Sequence, residues 1–211
     1  MHEESIRIGP VHGDLALPAQ ARGLVLFVHG SGSSRFSPRN RAVAAALHPL
    51  RLGTLLFDLL TEDEGLDRRK VFDIALLAAR VGQALDWVDR RADLATLPLG
   101  LFGASTGSAA ALRAAAERPQ RIAAVVSRGG RPDLAADWLP KVRAPTLLIV
   151  GGDDREVLEL NRTALAPIGA PKRLEVVPGA SHLFEEPGTL EAVCRLAGQW
   201  FTTHLQAEAA P

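Results

Sequence analysis

Cysteine is nearly absent from this 211-residue chain, and tyrosine is missing altogether. The single cysteine, Cys194, excludes an internal disulfide and a cysteine-based metal cluster, which favours a reducing compartment. No apolar run approaches the length of a membrane span, and the first residues, Met-His-Glu-Glu, lack the features of a signal peptide. These absences predict a cytoplasmic protein that does not associate with a membrane.

An excess of charge of either sign is also lacking, because 24 basic residues balance 24 acidic ones. No general electrostatic attraction to nucleic acid is therefore expected. The sequence contains neither a Walker motif nor a dinucleotide-binding glycine motif, and its histidines lack metal-ligand spacing. We therefore predict an enzyme without cofactor or metal, acting on a small molecule. The length fits a single domain over residues 1–211, with a frayed tail at 206–211.

Short apolar segments alternate with segments of helical periodicity along the chain, after a predicted edge hairpin at 5–17. The pattern predicts an α/β fold with a mostly parallel central sheet and helices on both faces. Residues 61–70 are predicted to form a mobile loop. Further strands are expected at 24–28, 52–57, 122–126, 146–150 and 173–177, and helices at 39–47, 71–91, 108–117, 133–139 with Asp133 as cap, 156–165 and 189–204.

The most informative motif is Gly-Ala-Ser-Thr-Gly at 103–107, which lies between an apolar strand beginning at Leu99 and an alanine-rich helix. Gly-x-Ser-x-Gly between a strand and a helix is typical of a nucleophile elbow, in which two glycines permit a sharp turn that exposes the serine hydroxyl. Alternatively, Ser105 only caps its helix. A cap does not require both glycines, so a nucleophile is favoured.

Polar residues follow several of the other predicted strands. They occur at 29–34, 128–131, 154 and 182. Because the carboxyl ends of parallel strands meet at one edge of a sheet, we expect these residues to lie around Ser105.

These motifs resemble the α/β-hydrolases, and more narrowly the small serine esterases similar to dienelactone hydrolase, which lack a cap domain. The resemblance covers nearly the whole chain and rests on His-Gly-Ser-Gly at 29–32, the elbow, Gly-Gly-Asp-Asp at 151–154 and Gly-Ala-Ser-His at 179–182. It implies a catalytic triad of Ser105, Asp154 and His182. Asp153 and Asp58 are the alternative acids.

The resemblance also implies an oxyanion hole formed by the backbone N–H groups of Thr106 and Ser31. The glycines around Ser31 leave open a shift of that donor by one residue. His29 is interpreted as a structural residue of the same loop. Many dienelactone hydrolases carry cysteine in the elbow, where this chain has serine. Cys194 is interpreted as a small apolar residue within the last helix.

Two features of the sequence bear on substrate selection, the length of the segment at 128–145 and the arginines at its start. Residues 128–145 are too few for a helical cap, which predicts an open site for small or protruding esters. Arg128 and Arg131 are candidates for binding a carboxylate or phosphate on the substrate. Alternatively, they are solvated or paired with nearby aspartates. Arg35, Arg39 and Asn40, within the stretch at 34–40, are further candidates for the same role. The Ser-Pro-Arg-Asn part of this stretch is similar to hydrolase domains fused to phosphoribosyltransferase-like domains.

Three functions remain open from the sequence. The leading hypothesis is a serine hydrolase that cleaves small carboxylic esters or lactones through an acyl-serine intermediate. The second is cleavage of a lactone that carries a carboxylate, and the third is a catalytically weak ligand-binding or accessory domain, since a fold does not fix a function. Exposed apolar edges are compatible with a homodimer.

Overall fold

The computed structural model describes residues 1–206. Its centre is an eight-stranded sheet with the order β1-β2-β4-β3-β5-β6-β7-β8. β1 and β2 form an antiparallel hairpin and β2 pairs antiparallel with β4, whereas all other neighbours are parallel. The strands are β1 His2–Ile8, β2 Val11–Leu17, β3 Gly23–Val28, β4 Leu52–Phe57, β5 Leu99–Ala104, β6 Ile122–Arg128, β7 Thr146–Gly151 and β8 Lys172–Val177.

Seven α-helices accompany the sheet in this part of the chain. They are α1 Pro38–Leu47, α2 Glu62–Gly65, α3 Arg68–Val71, α4 Ile74–Asp89, α5 Thr106–Glu117, α6 Arg155–Leu165 and α7 Thr189–His204. Helices α1 and α7 cover one face of the sheet, and α4, α5 and α6 cover the other. The predicted fold class is confirmed: this is a mostly parallel sheet with helices on both faces.

The central strands are buried on both faces because they lie between the two helical layers. In β3, Leu24, Leu26 and Val28 contribute to the core under α4 and α5, while Val25 and Phe27 face α1 and α7. Phe27 packs against Phe102 of β5 with a ring-centroid distance of 5.0 Å. Alternation along an entirely apolar strand is the pattern expected of a doubly covered parallel sheet.

Two segments differ from their predicted structure. The predicted loop at 61–70 forms α2 and α3, because the Thr61 hydroxyl and the Glu64 carboxylate cap the first helix reciprocally and Asp67 caps the second. The predicted helix at 133–139 is a kinked 3₁₀ segment, Pro132–Lys141, preceded by Arg131 rather than capped by Asp133.

The boundaries of the other elements differ only at their ends. The helix predicted at 71–91 begins at Ile74, because the Asp73 carboxylate accepts the amide of Leu76 at 3.0 Å and caps the helix there. No helix within residues 1–206 has both the length and the apolarity needed to cross a membrane. The predicted tail extends past Gln206 into residues 207–211, which lie outside the described part of the chain.

The approach of α5 to β3 generates a stability prediction. A methyl group at Gly107 would lie 2.2 Å from the carbonyl oxygen of Val28. We expect Gly107→Ala to lower the free energy of unfolding by about 3 kcal/mol, the cost of severe overpacking. The control is Gly82→Ala in α4, where the nearest atom is 3.8 Å away and a gain of about 0.5–1 kcal/mol is expected. Urea unfolding measures both, and equal effects would contradict the packing explanation.

Candidate active site

Ser105 occupies a strained turn between β5 and α5. Its backbone has φ 49° and ψ −125°, a left-handed φ that is unfavourable for a residue with a side chain. Such strain costs about 1–3 kcal/mol and is tolerated where the surrounding structure enforces it. The Ser105 side chain makes no capping hydrogen bond to α5. The cap alternative from the sequence therefore does not describe this geometry.

Asp154 and His182 form a hydrogen-bonded pair after β7 and β8. The Nδ1 atom of His182 lies 2.6 Å from Oδ2 of Asp154. A carboxylate only accepts hydrogen bonds, so Nδ1 carries the proton and Nε2 is left to accept one. The Asp154 side chain is 15% exposed, whereas Asp153 belongs to the exposed residues. Of the two adjacent aspartates, Asp154 is the one that meets the histidine.

The backbone brings these two loops together. A side chain at Gly151 would meet the carbonyl oxygen of Ala180 at 2.3 Å, so only glycine permits this contact between the loops. The Gly152 amide donates a hydrogen bond to the carbonyl oxygen of Val177 at 2.8 Å. The Asp153 amide donates to the carbonyl oxygen of Ala180 at 3.0 Å. These contacts fix Asp154 beside the loop that carries His182.

The connection after β6, residues 128–131, lies between the serine and the histidine. The Ser105 amide donates to the carbonyl of Arg128 at 3.2 Å, and the Arg131 amide donates to the carbonyl of Ser105 at 3.1 Å. His182 packs over Gly129, where an added methyl would lie 3.6 Å from Nδ1. Residues 128–131 thus contact the backbone of Ser105 on one side and His182 on the other.

Two positioning residues were not singled out from the sequence. Asn161, fully buried in α6, donates from Nδ2 to the carbonyl of Gly130 at 2.9 Å. Glu186 accepts the Ser181 amide at 3.0 Å, and its hydrogen bonds with Ser181 lower the pKa of the Glu186 carboxyl. A polar residue on a helix and a glutamate in a loop carry no spacing signal that would have distinguished them.

The two predicted oxyanion donors are in direct contact. The Ser31 amide donates to the hydroxyl oxygen of Thr106 at 2.9 Å. Thr106 is the first residue of α5, where backbone amides have no partner within the helix. The Thr106 amide therefore has the geometry of a donor for negative charge, whereas the Ser31 amide is already used by the protein. The role of Ser31 in the oxyanion hole stays a prediction that requires this hydrogen bond to open.

His29 holds the base of the same loop. Its Nε2 accepts the amide of Leu59 at 3.0 Å, and its Nδ1 lies 3.0 Å from the carbonyl oxygen of Gly30. Only 7% of the residue is exposed, and burial lowers the pKa of the imidazole below its ordinary value. The neutral ring thus links two segments of backbone, which supports the structural interpretation.

Asp58, the other alternative acid, is engaged elsewhere. Its carboxylate accepts the Arg35 amide at 2.9 Å and pairs with the Arg35 guanidinium. A cavity of about 920 Å³ opens beside this pair and is bordered by residues 29–36 and 58–63. Within residues 1–206, no group of three or more histidine, cysteine, aspartate or glutamate side chains has the arrangement of a metal site.

The two candidate arginines after β6 have different environments. Arg131 forms a two-pronged pair with Asp133, at 2.9 Å through Nε and 2.7 Å through Nη2. The ion-paired alternative therefore describes Arg131, whose predicted role in substrate binding has no further support from its position. Arg128 is only 6% exposed and donates from Nη2 to Oδ1 of Asn40 at 3.3 Å.

Comparison with solved structures identifies the family. The structure matches the crystal structure of a dienelactone hydrolase from Anabaena variabilis with a TM-score of 0.93 and 54% identity, over 97% of this chain and 98% of that one. The chain belongs to the dienelactone-hydrolase-like α/β-hydrolases. This confirms the resemblance inferred from the motifs.

More distant structures share the α/β-hydrolase fold. A cold-adapted esterase from an Arctic intertidal metagenomic library has 22% identity and a TM-score of 0.77, over 97% of this chain and 93% of that one. No family model matches the sequence.

Curated relatives are longer than this dienelactone-hydrolase-like chain. A protein from two strains of Mycobacterium tuberculosis, provisionally described as a phosphoribosyl transferase, is 59% identical over 196 residues. The match covers 93% of this chain but only 44% of the relative's length.

The buried imidazole of His29 generates a pH prediction. Below pH ~6.5, the ordinary histidine pKa, the unfolded chain binds a proton that the folded His29 resists, so stability is lost as pH falls from there towards the lowered folded pKa. We expect His29→Gln to lose less stability than the wild type between pH 7.5 and 5.5. Urea unfolding at both pH values tests this, with His2→Gln at the exposed terminus as control. An unchanged pH dependence in His29→Gln would refute the assignment.

Proposed function

We propose that this chain is a serine hydrolase that cleaves small carboxylic esters or lactones through an acyl-serine intermediate. The proposal depends chiefly on the hydrogen bond between His182 and Asp154, in a loop that is packed against the connection bordering Ser105. An imidazole oriented in this way is the base that a serine hydroxyl requires at neutral pH. The strained backbone of Ser105 and its place between β5 and α5 add support.

Each residue has a defined step in the proposed reaction. The Ser105 Oγ attacks the carbonyl carbon, and Nε2 of His182 accepts the hydroxyl proton while Asp154 stabilises the resulting imidazolium. The negative oxygen of the tetrahedral intermediate is stabilised by the Thr106 amide and by the positive end of α5. Collapse expels the alcohol, which takes the proton from His182, and water then releases the acid by the same steps.

The proposed substrates are small because the connection between β6 and β7 is too short to form a cap over the site. The connection between β6 and β7 contains only the 3₁₀ segment Pro132–Lys141. Long acyl chains would gain little buried area in such a site, since burial contributes roughly 25 cal/mol per Å² of apolar surface. A lactone that carries a carboxylate is the second candidate substrate, favoured by the name of the 54% identical relative.

The longer mycobacterial relatives set the scope of this proposal. Because the chain spans less than half of their length, we assign the hydrolase function to the shared part. A phosphoribosyl-transfer activity of those whole proteins is attributed to no residue of this chain. A catalytically weak accessory domain remains the competing function, and the first experiment below separates it from a hydrolase.

The role of Ser105 is tested with p-nitrophenyl acetate, butyrate and octanoate. We expect Ser105→Ala to lower kcat/KM by about 10³-fold or more, because members of a triad act as a unit. Acetate and butyrate should be cleaved faster than octanoate. Circular dichroism and thermal unfolding of both proteins provide the folding control. Equal, slow rates for wild type and Ser105→Ala would favour the accessory domain.

The identity of the acid is tested by a neighbouring pair of variants. We expect Asp154→Asn to lower kcat by about 10²–10⁴-fold, because the amide no longer fixes the imidazole with its proton on Nδ1. The exposed Asp153 is the matched control, and Asp153→Asn should stay within about threefold of the wild type, as surface changes usually do. A larger loss in Asp153→Asn than in Asp154→Asn would reverse the assignment.

A further inference from the structure

Arg128 carries a buried positive charge at the end of β6. Its guanidinium lies against α1 and the loop after β8, with Cζ 5.9 Å from the ring centroid of Phe184. The only side-chain hydrogen bond found for Arg128 among residues 1–206 goes to the neutral amide of Asn40, and its Nε is buried without a partner. No carboxylate in the same range lies within ion-pair distance of it. A buried charge without a counterion is unfavourable and unusual.

A second arginine, Arg39, precedes Asn40 in α1, and Asn40 is the residue that Arg128 contacts. Burial and the nearby charge of Arg39 lower the pKa of Arg128 to about 10. The Nε of Arg39 is also buried without a partner, and its Nη1 meets the Glu185 carboxylate at 3.2 Å. The Glu185 side chain is 62% exposed, so this ion pair is weak. Of these two arginines, only Arg39 is therefore paired with an anion in the described part of the chain, and that anion is screened by solvent.

These cations adjoin the proposed catalytic residues. The carbonyl oxygen of Arg128 accepts a hydrogen bond from the Ser105 amide. Arg128 therefore lies directly beside the elbow, at the end of the neighbouring strand β6. Phe184 and Glu185 follow His182 within one loop. The side chain of Arg39 is one-third exposed, which leaves a route from solvent to the pair.

We propose that Arg128 and Arg39, with Asn40, bind a phosphate group carried by the ester substrate. This inference rests on the proposed hydrolase function and names the class of its substrate. When the exposed Glu185 carboxylate is displaced from Arg39, a phosphate dianion matches the two guanidinium charges, whereas one substrate carboxylate in its place would leave a positive charge uncompensated. The unpartnered Nε–H groups supply donors for phosphate oxygens, which guanidinium groups bind through forked hydrogen bonds.

Asn40 and Glu185 have separate parts in this site. Asn40 is 2% exposed, and its Oδ1 accepts a hydrogen bond from Nη2 of Arg128. This hydrogen bond orients the guanidinium and does not involve its Nε atom. The Glu185 carboxylate forms an ion pair with Arg39 on the solvent-exposed side of the site. A bound phosphate would displace this exposed carboxylate at little cost, since surface ion pairs contribute little.

A binding experiment tests the site without turnover. In the Ser105→Ala protein, inorganic phosphate should raise Tm more than acetate at the same ionic strength, because a ligand that binds only the folded state stabilises it. Adding Arg128→Met should abolish this difference. The control Arg113→Met, which removes an arginine paired with Glu117 on α5, should retain it. Equal effects of phosphate and acetate, or an unchanged difference in Arg128→Met, would overturn the proposal.

A kinetic experiment distinguishes phosphate from carboxylate. The p-nitrophenyl esters of 3-phosphonopropionate, succinate and butyrate differ mainly in their terminal group, and their uncatalysed rates are subtracted. We expect kcat/KM to be highest for the phosphonate, with a ratio to butyrate that falls at least about tenfold in Arg128→Met, as for loss of a charged hydrogen bond. Arg128→Lys should restore part of this ratio. Preference for succinate over the phosphonate would overturn the phosphate assignment.

The two proposals can fail separately. If the wild type hydrolyses none of the three esters, the hydrolase function fails, and the thermal shift alone decides whether the anion site exists. If all three are hydrolysed at ratios that Arg128→Met leaves unchanged, the hydrolase function stands and the anion site is refuted.

Discussion

The contact between the start of α5 and the end of β3 constrains the whole site. The helix approaches the strand so closely that no side chain fits at Gly107, and the chain must therefore turn sharply at Ser105. The same approach places Thr106 against loop 29–32, where its hydroxyl accepts the Ser31 amide. Ser105, the proposed nucleophile, and the adjacent loop are consequently one packed unit, which tolerates the strain at Ser105 and contains a partly buried hydrogen bond.

The connection at 128–131 extends this unit towards the histidine. It is tied to Ser105 by hydrogen bonds at both ends, supported by Asn161 from below and covered by His182. Because every tie involves the backbone, the side chains of this segment are free to differ in role. Arg131 turns to a neighbouring aspartate, and Arg128 enters the interior.

The sequence predicts those features that depend on local pattern. Alternation of apolar strands with helices predicts the sheet, and the elbow and the Gly-rich loops predict which residues reach its carboxyl edge. Packing between distant segments is not encoded in such patterns. The burial of Arg128 depends on its packing against α1 and the loop after His182. The local sequence does not show these contacts, and the charge of Arg128 alone would indicate a surface residue. Short capped helices such as α2 escape detection because four residues contain little periodicity.

The outermost strands have a consequence for self-association. The sheet ends at β1 on one side and at β8 on the other, and both strands are rich in charged residues, including Glu3, Glu4, Lys172 and Arg173. Such edges resist the addition of another strand, since the charges would be desolvated beside a second copy. A continuous sheet running through two molecules is therefore disfavoured, and a dimer of this protein would join through its helical faces or loops.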